Sequence, residues 1–176
     1  MRVERWEEYA IGPEVQQDIH LLLRDSFSVY PEGRTYFRQV PTFRYLMWDG
    51  EILVAQLGVD YRMMNNGGQC IRTFGIVDLC VSEPYRHRGI AAELLDQLER
   101  LGQEHHIDFI ILWAKDRSFY QKKGFIEVSN PCKWLLIQGD ESQGLLHRRV
   151  GEGLMVLRLG KKEWREGTLD YLGHIF

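Results

Sequence analysis

The run Arg86-His87-Arg88-Gly89-Ile90-Ala91 has the residue types needed to hold an anion. Glycine and small side chains let a backbone approach a bound group closely, and two arginines and a histidine add positive charge. If a helix starts here, its unpaired N–H groups and the positive end of its dipole point at the same place. The chemistry would be that of a phosphate or pyrophosphate cradle. An ordinary surface turn with solvated arginines has the same composition, so the motif alone leaves both readings open.

Two further positions carry chemistry. Asp78 and Cys80 alternate onto one face of an apolar run, with Val77, Leu79 and Val81 on the other. Tyr120, taken by itself, reads as an aromatic packed on a sheet. The three cysteines, Cys70, Cys80 and Cys132, are odd in number and lack metal-ligand or redox spacing, so they are expected as free thiols, buried or on strands. The six histidines give one adjacent pair, His105-His106, at an expected helix end, where the dipole favours them without a metal.

The elements that must position these residues follow from periodicity. Ile76 to Val81 suits a buried strand, Ser82 to Arg88 is polar and contains Pro84, and Ile90 to Leu101 has helical spacing. Leu94, Leu98 and Leu101, with Ile90 and Leu95, make one apolar helix face. Ile107 to Ala114 is a second buried-strand run, so the strands flanking the helix are expected to be parallel and joined by a right-handed crossover. The cradle then sits at the carboxyl end of a strand, where ligands bind in such units.

Earlier in the chain, Arg2 to Tyr9 is a candidate first strand, and Pro13 to Ser26 a helix with Pro at its first turn. A short helix is expected near Tyr36 within the Tyr30 to Val40 connector. Thr42 to Trp48, Glu51 to Met64 and Gln69 to Val81 read as an antiparallel meander turning at Asp49-Gly50 and Asn65-Asn66-Gly67-Gly68. Beyond the second buried run, Asp116 to Gly124 suits a short capped helix, followed by strands at Phe125 to Ser129, Trp134 to Gln138 and Leu154 to Leu159. Pro131 and Cys132 are expected to break the pattern, and Gly139 to Arg149 is a polar stretch with no assignment.

With 176 residues, 44 % hydrophobic and 27 % charged, the chain fits one globular domain, residues 1–176. A net charge of −3 excludes global attraction to nucleic acid. The longest apolar runs fall far short of a membrane span and the first residues lack a signal-peptide core, so a cytoplasmic location without a membrane partner is expected.

The order of elements strongly resembles the GNAT superfamily of N-acetyltransferases across nearly the whole chain. The resemblance rests on R-x-x-G-x-A at Arg86 to Ala91 after a hydrophobic strand, and on Tyr120-Gln121-Lys122-Lys123-Gly124-Phe125, similar to the family's Y-x-x-x-G-F segment. It implies an α+β, α/β/α layered fold: a mixed, mostly antiparallel twisted sheet with one parallel βαβ crossover and helices on both faces. It implies acetyl-CoA as cosubstrate and no metal. The amides of Arg88, Gly89, Ile90 and Ala91, helped by Arg86 and His87, would hold the pyrophosphate, and backbone groups of Leu79, Cys80 and Val81 would pair with the pantetheine arm. A narrower resemblance, through Glu163 to Thr168 and Gln16 to Ile19, is to aminoglycoside 2′-N-acetyltransferases and the rhizobial acyltransferase NodA. It implies an amino-sugar acceptor, although Thr168 stands where the aminoglycoside enzymes place an acid.

Acetyl transfer to an amine needs stabilisation of an oxyanion and a proton for the leaving thiolate. With the resemblance, Tyr120 becomes the candidate general acid, its ordinary pKa of about 10 lying not far above a thiol's 8.5. Asp78 is a candidate base, or a hydrogen-bonded strand acid. Glu166 or Asp170 are candidates for anchoring a cationic substrate. The leading expectation is a small-molecule N-acetyltransferase; a non-catalytic acyl-CoA sensor or subunit, or a longer-chain acyltransferase, remains open. So does the oligomeric state, a homodimer included.

Overall fold

The computed structural model describes all residues from Met1 to Phe176. They pack into two compact units, Met1–Asp60 with Ile76–Leu98, and Tyr61–Gly75 with Glu99–Phe176. Two strands, β3 (Ile52–Asn66) and β4 (Gln69–Val81), and one helix, α2 (Ile90–Glu104), run through both. The fold is mixed α+β, as the sequence implied.

In the first unit, β1 (Arg2–Glu7) pairs antiparallel with β2 (Phe43–Asp49), and β2 with β3. Gly50, at φ +60°, supplies the left-handed residue that the β2–β3 turn requires. Helix α1 (Pro13–Ser26) has the bounds the spacing predicts, with Pro at its first turn. Its Ile19, Leu22 and Leu23 are buried with Ile11, Leu46, Trp48, Leu53 and Cys80, and Val15, Phe27 and Tyr30 pack at the margin.

The helix expected near Tyr36 does not form; Pro31–Val40 holds only turns and bends. Its carbonyls serve other donors. Thr35 O accepts from the Arg44 guanidinium at 2.5 Å, and Arg34 O lies 3.0 Å from His20 Nδ1. A helical turn would withdraw both.

In the second unit the strand order is β6-β9-β5-β4-β3-β10-β7-β8, with β5 Phe109–Trp113, β6 Ile126–Glu127, β7 Pro131–Gln138, β8 Glu141–Arg149, β9 Leu154–Arg158 and β10 Leu169–His174. β4 and β5 are parallel with α2 between them, which is the expected crossover. A second parallel pair, β10 with β7, was not foreseen. Pro131 and Cys132 open β7 rather than break it, and the unassigned stretch is β8, paired antiparallel with β7. Almost every residue of β8 is exposed, so no burial pattern marks it in sequence.

The second core gathers Met64, Ile71, Phe109, Ile111, Cys132, Trp134, Leu154, Val156, Leu169 and Tyr171. The tail is tied down by two asparagines. Asn66 exchanges hydrogen bonds with the Arg165 backbone, and Asn130 donates to Arg165 O and Gly167 O and accepts from Trp164 Nε1. The Phe176 ring lies where any side chain at Gly75 would project. No helix is long and apolar enough to cross a membrane. Cys80 and Cys132 are buried free thiols, and Cys70 is exposed.

Candidate active site

The carboxyl-terminal half of β4 carries the acid. Asp78 sits at φ +53°, in the left-handed region that few non-glycine residues enter, although aspartate tolerates it. Such a conformation costs about 1–3 kcal/mol and persists only where its surroundings hold it. Here a chain of buried polar groups does so. Arg44, fully buried in β2, forms a two-pronged pair with Glu8 at 2.6 and 3.1 Å and donates to Gln56 Oε1 at 2.7 Å. Gln56, so oriented, turns its amide N–H onto the Asp78 carbonyl. The regular alternation expected along β4 is therefore interrupted at Asp78.

The Asp78 side chain has its own partner. Tyr30 Oη donates to Asp78 Oδ2 at 2.7 Å, and the Tyr30 ring is flanked by Phe27 and Phe37 at centroid distances of 5.9 and 6.2 Å. Burial raises the Asp78 pKa above the usual carboxylate value, while the Tyr30 hydrogen bond and the Arg44 charge pull it back. Burial and the neighbouring carboxylate push the Tyr30 phenol well above its ordinary range, so it stays a donor. Burial lifts the Cys80 thiol to about 11, which keeps it neutral.

Past β4 the chain makes the predicted loop. Ser82 N–H bonds Val54 O at 2.8 Å, Arg86 Nε bonds Val81 O at 3.1 Å, and Arg88 lies over the Tyr85 ring at 5.1 Å. His87 and Gly89 have positive φ, +62° and +80°. The first helical bond of α2 runs from Glu93 N–H to Gly89 O at 3.0 Å, so the amides of Ile90, Ala91 and Ala92 belong to a first turn without helical partners. Residues Arg86 to Gly89 are exposed, Ile90 is buried, and a β-carbon at Gly89 would meet nothing within 4 Å. An open, amide-lined turn beside two arginines and a histidine fits a pyrophosphate. Leu79 and Val81 are half-buried and Cys80 is buried. The parallel ladder to β5 covers only Thr73, Phe74 and Gly75, so the Leu79–Val81 backbone has no partner strand on that edge. That fits pairing with an extended arm. No group of three or more His, Cys, Asp or Glu side chains could hold a metal ion.

In the second unit, Tyr120 lies on α3 (Ser118–Lys122), its ring edge-on to Phe119 and Phe125 at 5.0 and 5.6 Å. Asp116 Oδ1 accepts the Ser118 N–H at 3.0 Å, and Gly124 at φ +86° lets Phe125 N–H return to Tyr120 O at 3.1 Å. Burial first, and the Asp116 charge second, push Tyr120 up to about 12. Glu166 is exposed. Asp170 is engaged already, in an ion pair with Lys133 at 3.0 Å and as acceptor of the Leu172 N–H at 2.9 Å.

Sequence reasoning did not single out Tyr30, Arg44 or Gln56. One signal was present: an arginine and a glutamine inside otherwise apolar strands require buried partners.

A mixed sheet with a βαβ crossover and an open, amide-lined turn at the carboxyl end of the crossover's first strand is the architecture that the sequence resemblance implied. The model of the acetyltransferase (GNAT) domain matches residues 14–128, well over half of the chain, which therefore belongs to this family of acetyl-CoA users. Among solved structures, the Escherichia coli GNAT family N-acetyltransferase YhbS in complex with CoA is similar at 16 % identity and a TM-score of 0.64, over 97 % of this chain and 88 % of that one. Escherichia coli ElaA gives 17 % identity and a TM-score of 0.61 over 88 % and 97 %. A GCN5-related N-acetyltransferase from Kribbella flavida gives 16 % and 0.56, over 72 % of this chain. The chain spans 33 % of that last protein, and 32 % of a probable N-acyltransferase from Enterococcus faecalis. At these identities the likeness is one of fold. No curated protein sequence matches the chain.

Proposed function

We propose that the chain transfers an acetyl group from acetyl-CoA to a primary amine of a small molecule. The observation that carries this is the Arg86–Ala91 turn: positive φ at His87 and Gly89 and an open first turn of α2, in a member of an acetyltransferase family. Arg88 to Ala91 would hold the pyrophosphate by backbone amides, with Arg86 and His87 adding charge. Leu79 to Val81 would pair with the pantetheine arm. Asp78 would take the proton the amine loses, directly or through water, and Tyr120 would give one to the departing thiolate. The phenol, pushed up to about 12, is a protonated donor at neutral pH; it stands ~3.5 units above a free thiol, so the proposed transfer requires bound cofactor to lower the phenol or raise the thiol.

An amino sugar is the acceptor favoured by the resemblance of the Glu163–Thr168 segment to aminoglycoside 2′-N-acetyltransferases and NodA. Glu166 is the available acid of that tail, since the Asp170 carboxylate has partners. A longer acyl group, or acyl-CoA binding without turnover, is the alternative. Acetyl-CoA consumption over aminoglycosides, polyamines, amino acids and simple amino sugars tests the reading. Turnover of an amino sugar supports it. Tight acetyl-CoA binding with no turnover of any amine moves the assignment to a binding role.

A further inference from the structure

We infer that Tyr30 is a positioning residue that keeps the Asp78 carboxylate ionised and aimed, so that the Tyr30–Val40 connector sets the base strength of the site. This rests on the proposed role of Asp78 and adds to it a second residue and a control. Asp78 is fixed at two ends. Its carbonyl is held by the Gln56 amide, which Arg44 orients, and its carboxylate is held by the Tyr30 hydroxyl at 2.7 Å. The first hold is built from β2 and β3. The second comes from a segment without helix or strand.

The groups facing Asp78 are few. Arg44 on β2 is cationic and compensated by Glu8, Gln56 on β3 is neutral, Cys80 on β4 is a neutral thiol, and Tyr30 is a neutral donor. Burial favours the protonated acid, and only Tyr30 and Arg44 oppose it. A hydrogen bond to a charged acceptor stabilises the charged form, so removing the hydroxyl must raise the Asp78 midpoint. A base with a raised midpoint loses its ready form at a higher pH, and the acidic limb of the rate profile moves up with it. Tyr30 itself does not titrate in this range, because its own burial and the adjacent carboxylate hold its proton. It therefore acts as a fixed donor whose distance from Asp78 is set by the connector.

Tyr30→Phe isolates the hydroxyl, since the ring can stay between Phe27 and Phe37. In the free protein, carbon-13 NMR of the Asp78 carboxyl should give a midpoint about one pH unit higher in Tyr30→Phe than in wild type, the size expected for one hydrogen bond to a charged group. With an amine found by the screen, the acidic limb of kcat/KM should move by the same amount while acetyl-CoA affinity is unchanged. Asp78→Asn should abolish that limb. An unmoved NMR midpoint in folded Tyr30→Phe overturns the inference, as does a limb that Asp78→Asn abolishes but Tyr30→Phe leaves in place. A limb that survives Asp78→Asn removes Asp78 as the base, and the inference falls with that reading.

Discussion

Gly89 gives the sharpest test of the cradle, because its φ of +80° and the empty space around it separate two effects that usually come together. A β-carbon at this position meets no atom within 4 Å, so Gly89→Ala does not clash with the protein itself. The left-handed backbone still penalises a β-carbon, by roughly 1–2 kcal/mol. Gly89→Ala should therefore either strain the turn or relax it out of the anion-binding shape, weakening acetyl-CoA by about tenfold. Gly89→Glu adds a carboxylate at the pyrophosphate. At roughly 5 Å that repulsion is about 0.8 kcal/mol per phosphate charge in water, and severalfold more at the lower effective dielectric of a protein surface. With the backbone term, the total exceeds about 3 kcal/mol, more than a hundredfold in affinity. Gly89→Asn is the control, since asparagine enters the left-handed region readily and carries no charge, and it should bind nearly as wild type. Titration calorimetry with acetyl-CoA measures all three. A Gly89→Glu protein that binds as tightly as wild type refutes the placement of the pyrophosphate on this turn.

Tyr120→Phe should lower kcat with little change in acetyl-CoA affinity, and an unchanged kcat with chemistry rate-limiting removes Tyr120 as the acid. Because its pKa is pushed up to about 12, loss of the Tyr120 proton should not limit turnover below roughly pH 11, which a wild-type pH profile checks. Arg44→Met strands the Glu8 carboxylate and frees the Gln56 amide, so urea unfolding should show about 3–5 kcal/mol lost, part of it restored by adding Glu8→Gln. Asp78 has a folded-state pKa above its ordinary value, so its ionisation opposes folding: the stability it contributes is present below the unfolded pKa and fades as pH rises through the folded one. Asp78→Asn, which can still accept the Tyr30 bond, should therefore raise the thermal midpoint at neutral pH, with the gain vanishing toward acid pH.

What was legible in the sequence was what burial writes into it. α1, β4 and the β4–α2–β5 crossover carry long apolar periodicities, and they occur close to where spacing puts them. β8 was invisible because an edge strand exposed along nearly its whole length keeps its polar residues and shows no alternation. The connector failed as a helix because its carbonyls bond Arg44 and the His20 ring, partners remote in sequence. The same distance effect hid half of the candidate site. The cradle candidate is contiguous and could be read as a motif, whereas Gln56, oriented by Arg44, reaches Asp78 through the pairing of β2, β3 and β4, and Tyr30 reaches it from the connector. The left-handed Asp78 has no glycine to announce it.

The position of β10 constrains how the second unit assembles. It lies between β3 and β7, antiparallel to one and parallel to the other, with Leu169 opposite Asn66 on β3 and Cys132 on β7. The β7–β8 hairpin can close locally and early, but the β3–β10 pairing must wait for a contact between residues far apart in the chain. Until β10 docks, β7 presents an unpaired edge and β3 leaves Asn65 and Asn66 without that partner; such an edge is the kind of surface that recruits strands from other molecules. Folding of this protein should thus be slow in its last step, and aggregation should compete with the insertion of β10 rather than with the formation of the cradle.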